Sequence, residues 1–342
     1  MMFLGGPVFG KIYDNYGPRK LLLFGSFMHV FGLMMTSLST SYYHFILAQG
    51  ICSPLGASAI FYPAVSATST WFFRRRAFAF GIVTSGSSVG GVILPIMVER
   101  LIRQVGFAWA MRTAAFLILV LLVIGNLTVR SRIAPVKRPF RTMDFLEPFT
   151  ELTYLLVALA SFLFCFGIFL PFTYVILQAI DIGMSPALAG YLLSILNAAS
   201  LFGRILPGYF ADRFGRFNVM ILTTYFSAIL VLALWRHAHT NATIIAFAVL
   251  YGFGSGAFVS MSPAVTAQIS DVRQIGIRNG SLFAFISVAA LCGSPIGGML
   301  LTRYHGGYEG LQIFAGSMML GGASFFVAAR TSIVGMKLCV RI

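Results

Sequence analysis

Acidic side chains are scarce in this sequence: Asp and Glu number 9 against 24 Lys and Arg, and charged residues of all kinds make up 10% of 342 positions. A soluble domain carries about 25% charged residues, so this composition excludes one. Cysteine is also sparse. Cys52, Cys165 and Cys292 fall inside apolar runs and Cys339 lies in the C-terminal tail, which leaves neither a disulfide framework nor a zinc spacing. His237 and His239 are the only close histidine pair, on a loop, and no metal or cofactor is assigned to them. No nucleophile, base and oxyanion set is present, so no enzymatic activity is expected. The glycines of G-F-G-S-G from Gly252 sit inside an apolar run and follow no strand, which excludes a nucleotide loop.

What the chain does have is apolar length, with 58% hydrophobic residues. Runs near 20 residues predict a stub at 1–10 and helices near 21–39, 43–70, 77–98, 107–128, 152–178, 185–209, 217–235, 242–269, 278–302 and 310–330. The fold class is all-α and polytopic, lying in the lipid bilayer. The net charge of +15 does not point to nucleic acid, because the basic residues occupy the short gaps between runs and favour alternate gaps. One set of gaps, with the C-terminus, holds Lys11, Arg19, Lys20, Arg74, Arg75, Arg76, Arg130, Arg132, Lys137, Arg138, Arg141, Arg213, Arg216, Arg273, Arg278, Arg330, Lys337 and Arg341. The opposite set holds Arg100, Arg103, Arg236 and Arg303. That bias puts the first set and the C-terminus in the cytoplasm, in a plasma or vacuolar membrane that the sequence does not distinguish. The polar stretch 129–150 divides the spans into an N-terminal bundle, 1–128, and a C-terminal bundle, 151–330, followed by a tail, 331–342.

Within the run that begins near Ala187, Gly190, Asn197, Ser200, Arg204 and Gly208 recur at helical spacing and form one stripe. An arginine at the bilayer centre costs about 2.5–3.5 kcal/mol, so Arg204 is expected to face the bundle interior or a watery path. That makes it the candidate anchor for an anionic solute, with Asn197 and Ser200 as candidate hydrogen-bonding neighbours. A guanidinium fixed to backbone carbonyls near a helix break at Pro207 is the competing reading. The pairs Gly86 and Gly90, Gly252 and Gly256, and Gly293 and Gly297 have the spacing of close helix packing. His29 is expected to be a packed structural residue, and Arg112 to snorkel toward the interface.

A shift of 198 positions lays G-K-I-Y-D-N-Y-G-P-R-K, from Gly10, on G-Y-F-A-D-R-F-G-R-F-N, from Gly208. Gly10 meets Gly208, Asp14 meets Asp212, and Gly17 meets Gly215. Copies in equivalent loops are the mark of parallel transporter repeats. A carboxylate in such a loop suits the N-terminus of a neighbouring helix, so Asp14 and Asp212 are expected to be latches at the inner ends. Arg19, Arg213 and Arg216 complete the candidate gating set.

These loops resemble the signature that joins the second helix to the third, and the eighth to the ninth, in the major facilitator superfamily. Further, W-F-F-R-R-R-A-F-A-F-G-I-V-T-S-G-S-S-V-G, from Trp71, resembles the entry to the fifth helix of the monocarboxylate-porter family, with Arg74, Arg75, Arg76, Gly81, Gly86 and Gly90 as its signature residues. P-F-T-Y from Pro171, and the stretches from Gly190 and Asp212, are similar to its fungal branch. The resemblance implies a fold of two pseudo-symmetric bundles, in which this chain lacks the first helix and part of the second. It also implies secondary active transport of a small organic anion by alternating access, with a proton as candidate coupling ion. The family's arginine on the eighth helix matches Arg204, but its aspartate position is Ser200, and no other carboxylate lies within a span. The alternative is a membrane protein of the same fold that is transport-incompetent through truncation or that does not transport.

Overall fold

The computed structural model describes residues 1–304 and 306–335. Lys337, Cys339 and Arg341, and with them most of the expected tail, lie outside the described residues. Among the described residues the regular elements are all helices, without a strand, and the longest non-helical stretch is 129–141. A backbone that lies in hydrocarbon must satisfy its own hydrogen bonds, and a run of helices does this.

The helices are α1 (Gly6–Tyr16), α2 (Pro18–Ser37) and α3 (Tyr42–Trp71), then the 53-residue helix Arg76–Thr128. Gly106 breaks that long helix with φ of 79°, giving α4 (76–105) and α5 (107–128). They are followed by α6 (Leu152–Asp181), α7 (Pro186–Phe214), α8 (Arg216–Trp235), α9 (Asn241–Gln268), α10 (Ile275–Arg303) and α11 (Glu309–Val334). Among the described residues, nine helices are long and apolar enough to cross a membrane, and the longest of them divides in two at Gly106. Ten spans and a stub, α1, are therefore present. α7 passes Pro207 without a break.

The chain forms two compact units, and neither is a continuous stretch of sequence. The first comprises residues 1–73, 93–147 and 270–284. In it α1 lies against α3 and the start of α10. The Tyr62 hydroxyl donates to the Phe3 carbonyl at 3.2 Å, and Phe3 stacks on Phe283 with centroids 5.4 Å apart. α2 packs on α3 through Gly25 and Gly56, and His29 is pinned there by Ser53, its Nδ1 lying 2.9 Å from the hydroxyl. Residues of the linker strap α1: Lys11 pairs with Asp144 at 2.5 Å, and Asn15 exchanges hydrogen bonds with the Arg138 backbone at 2.9 and 3.2 Å.

The second unit comprises residues 74–92, 148–269 and 285–342. Here α7 packs on α9 through Gly203 against the Phe253 backbone and Gly252 against the Leu196 backbone, while α6 packs on α11 through Gly167 and Gly322. Interfaces of small residues are how helices associate where apolar solvent gives no hydrophobic drive. Gly252 and Gly256 follow the expected spacing, as do Gly293 and Gly297. Gly86 does not: a methyl group there would meet open space, and the packed glycines of that segment are Gly81, against the Arg204 backbone, and Gly91, against the Asn197 side chain. Gly90 is half-buried. The spacing marks small residues on a helix, but not which neighbour each faces.

Candidate functional site: a buried arginine seam and two aspartate latches

In the second unit the first half of α4 runs antiparallel to α7 along a seam of small and polar residues. Gly208 lies against the Ala77 carbonyl, Gly81 against the Arg204 carbonyl, and Gly91 against Asn197. Between them Ser88 and Ser200 share a hydrogen bond of 2.7 Å. Arg204 is only 9% exposed. Its Nη1 donates to the Thr84 carbonyl at 2.5 Å and to the Ser87 hydroxyl, while its own carbonyl accepts from Ser260 at 3.3 Å. Among the described residues the Arg204 Nε has no hydrogen-bond partner. The guanidinium is thus turned inward, as an isolated cation on an apolar helix must be. It is held by a backbone carbonyl and a hydroxyl of the adjacent helix rather than by a carboxylate, and no break at Pro207 is involved.

The other two polar residues of the stripe, Asn197 and Ser200, make bonds within α7. Asn197 Nδ2 donates to the Leu193 carbonyl at 2.9 Å, and Ser200 Oγ donates back to the Asn197 carbonyl at 2.9 Å. The structure therefore brings Asn197, Ser200 and Arg204 onto one seam, with Arg204 alone retaining an unspent buried donor.

At one end of this seam stands Asp212. Its carboxylate accepts from the Ala77 and Phe78 amides at 3.1 and 2.9 Å, first-turn donors of α4 that have no partner within the helix. Arg216, four residues on, pairs with it at 3.2 Å. The first unit repeats the arrangement: Asp14 accepts from the Gly276 and Ile277 amides at 3.1 and 2.9 Å at the start of α10. Gly10 lies against the Gly276 backbone as Gly208 lies against Ala77, and at both sites a side chain would collide with the facing backbone. Gly17 and Gly215 turn the chain out of α1 and α7 with φ of 77° and 98°, a left-handed conformation that glycine adopts without strain.

The first latch has a perturbed carboxyl. Burial outweighs the two amide hydrogen bonds and the nearby Lys11 and Arg138, and pushes the Asp14 carboxyl up to about 7. The neighbouring Tyr13 phenol is pushed up to about 12, also by burial. The basic residues of the loops divide too. Arg19 is exposed, and Arg213 lies over the Tyr209 ring at 4.3 Å. Of the signature arginines, Arg74 and Arg75 are exposed, while Arg76 is buried and donates to the Ala267 carbonyl at 2.8 Å.

Two residues acquire roles that the sequence did not assign. Thr84 and Ser87 hold Arg204, and their only sequence signal is their place among the small polar residues after Gly81. Arg112, expected to snorkel, instead donates to Ser37 at 3.2 Å and lies over Trp109. Among the described residues no group of histidines, cysteines and carboxylates could hold a metal.

Comparison with known proteins agrees with this architecture. The chain is 54% identical over 342 residues to "MFS-type transporter 1" of Ophiocordyceps sp. (strain BCC 1869), covering 100% of this chain and 76% of that one. It is 44% identical over 326 residues to the "Fujikurins efflux protein" of Gibberella fujikuroi (strain CBS 195.34 / IMI 58289 / NRRL A-6831), covering 95% and 70%. The crystal structure of the E. coli fucose:proton symporter FucP superposes with a TM-score of 0.76 at 13% identity, covering 96% of this chain and 88% of that chain, and shares the fold. The family model for the Major Facilitator Superfamily matches twice, at residues 1–178 and 157–334. With both matches spanning helices of the kind described above, the chain belongs to the Major Facilitator Superfamily, whose members are non-enzymatic, multi-pass transporters of small molecules.

Proposed function

We propose that this protein is a secondary active transporter of a small organic anion, with Arg204 as the anion contact, and that it works as an exporter by alternating access. The observation that carries this reading is the Arg204 guanidinium, 9% exposed and with its Nε unspent. A buried polar donor without a partner costs about 1–3 kcal/mol, and more when charged. A carboxylate or enolate arriving at Arg204 would recover that cost and accept a charge-assisted bond. Asn197 and Ser200 line the approach in this reading. Ser200 does not titrate, so any coupled proton is carried elsewhere in the chain.

Export is favoured by the efflux relative, 44% identical. The bundles 1–128 and 151–330 would rock against each other, with Asp14 and Asp212 as latches. By the arginine and lysine bias these latches lie at the cytoplasmic ends, with the C-terminus on the same side. A monocarboxylate is the simplest substrate class that satisfies one guanidinium.

Reconstitution in proteoliposomes tests the proposal. Uptake of a panel of organic anions, each beside its neutral ester, is measured for the wild type, Arg204→Lys and Arg204→Gln. Arg204→Gln is expected to lose at least tenfold on the anion and little on the ester, with Arg204→Lys falling between. Equal anion flux in all three proteins would overturn the assignment of Arg204.

A further inference from the structure

In the first unit, α2 and α5 run antiparallel and are pinned together by a polar contact at each end. Asn126 Nδ2 donates to the Ser26 hydroxyl at 2.8 Å, and Arg112 Nε donates to the Ser37 hydroxyl at 3.2 Å. Ser26 and Ser37 are eleven residues apart on α2, which is about 16 Å along the axis and close to one leaflet of a ~30 Å hydrocarbon core. Between the pins the helices do not close on each other. They leave a groove of about 560 Å³ walled by Leu23, Phe27, Phe31, Leu119 and Val123. This volume falls in the range of small-molecule sites.

The groove's hydrogen-bonding capacity is specific. Both Asn126 N–H groups are used, toward Ser26 and toward the Leu122 carbonyl at 2.7 Å, and the Ser26 hydroxyl is spent on the Leu22 carbonyl at 2.7 Å. What remains is acceptor only: among the described residues Asn126 Oδ1 accepts no hydrogen bond. An occupant must therefore bring a donor to the Asn126 end and an apolar body to the rest. Phosphatidylcholine, whose ester carbonyls and phosphate only accept, cannot pair with Oδ1. One wall is aromatic and stiff, because Phe27 and Phe31 stack on each other with centroids 5.8 Å apart and planes 14° from parallel. A flat, rigid body packs on such a wall with little loss of conformational freedom, which a flexible acyl chain does not.

We propose that the α2–α5 groove is a sterol site, with the sterol hydroxyl donating to Asn126 Oδ1 and the ring system lying on Phe27 and Phe31. The site is separate from the Arg204 seam, and its occupation does not depend on what the protein transports. The polar end lies two residues from the end of α5 and eight from the start of α2, so the occupant's hydroxyl would sit toward those helix ends and its apolar body toward the middle of the pair.

The full chain in phosphatidylcholine nanodiscs containing a photoactivatable cholesterol analogue tests this. Labelling is expected on peptides from 18–37 and 107–128, and tenfold excess cholesterol should compete it at least fivefold better than its 3α-hydroxyl epimer does. Asn126→Leu is expected to cut labelling at least fivefold. Because that substitution also removes a pin, Val123→Phe serves as a second variant that fills the groove and leaves both pins in place, and it too should abolish labelling. If cholesterol and its epimer compete equally, or if Val123→Phe labels like the wild type, an ordinary acyl chain fills the groove and the proposal is wrong.

Discussion

Asp212 and Arg216 form an ion pair of 3.2 Å one helical turn apart, across the left-handed Gly215, while the same carboxylate caps the start of α4. The residue four beyond Asp14 is Pro18, which offers no such cation. Two latches with the same backbone geometry are therefore held by different electrostatics. The second has its own counterion at the start of α8, and the first has its lysine diverted to Asp144.

The first latch should respond to pH. Buried against α10, the Asp14 carboxyl is pushed up to about 7, whereas an exposed aspartate titrates near 3.9. The latched form therefore binds the proton more tightly, and raising the pH from about 5 to about 8 favours the unlatched form. Amide exchange at Gly276 and Ile277, corrected for the intrinsic pH dependence, is expected to speed up over that interval. Asp14→Asn should flatten the response, and slower exchange at high pH would contradict the sign.

The glycines of the seam should separate sharply. A methyl group at Gly208 would come within 2.6 Å of the Ala77 carbonyl, so Gly208→Ala is expected to cost about 1–3 kcal/mol. Gly86 faces open space, and Gly86→Ala should be neutral or stabilising by up to about 1 kcal/mol through helix propensity. Thermal unfolding in detergent reads both, and a loss at Gly86 equal to that at Gly208 would contradict the packing.

Gly215 tests backbone rather than packing. With φ of 98°, Gly215→Ala is expected to cost about 1–2 kcal/mol from left-handed strain. The loop should loosen locally, so proteolysis between α7 and α8 would speed up more than global unfolding does. Unchanged cleavage would show that the turn relaxes without strain.

The signature arginines should divide as their burial does. Arg76→Gln breaks a 2.8 Å bond to the Ala267 carbonyl and is expected to cost about 1–3 kcal/mol, while Arg75→Gln on the exposed side should stay within about 0.5 kcal/mol. Denaturation of the two variants side by side is the measurement, and equal losses would refute the distinction.

The sequence by itself determined the all-helical membrane fold, the ten spans with their stub, and the internal repeat. Apolar length and the spacing of glycine and aspartate are local properties, and lipid leaves a long apolar run no conformation but a helix. A carboxylate before a left-handed glycine was readable in the same way. Tertiary structure decided which helix end each aspartate caps, which of three adjacent arginines is buried, and that Gly91 rather than Gly86 packs. It also decided that Arg204 reaches Thr84 and Ser87 while α7 runs on past Pro207. Those partners stand more than a hundred residues away in the chain, and a contact between two greasy cylinders depends on their rotation and register. One helix's periodicity fixes the face it presents, but the facing atoms are supplied by a neighbour that the local sequence does not contain.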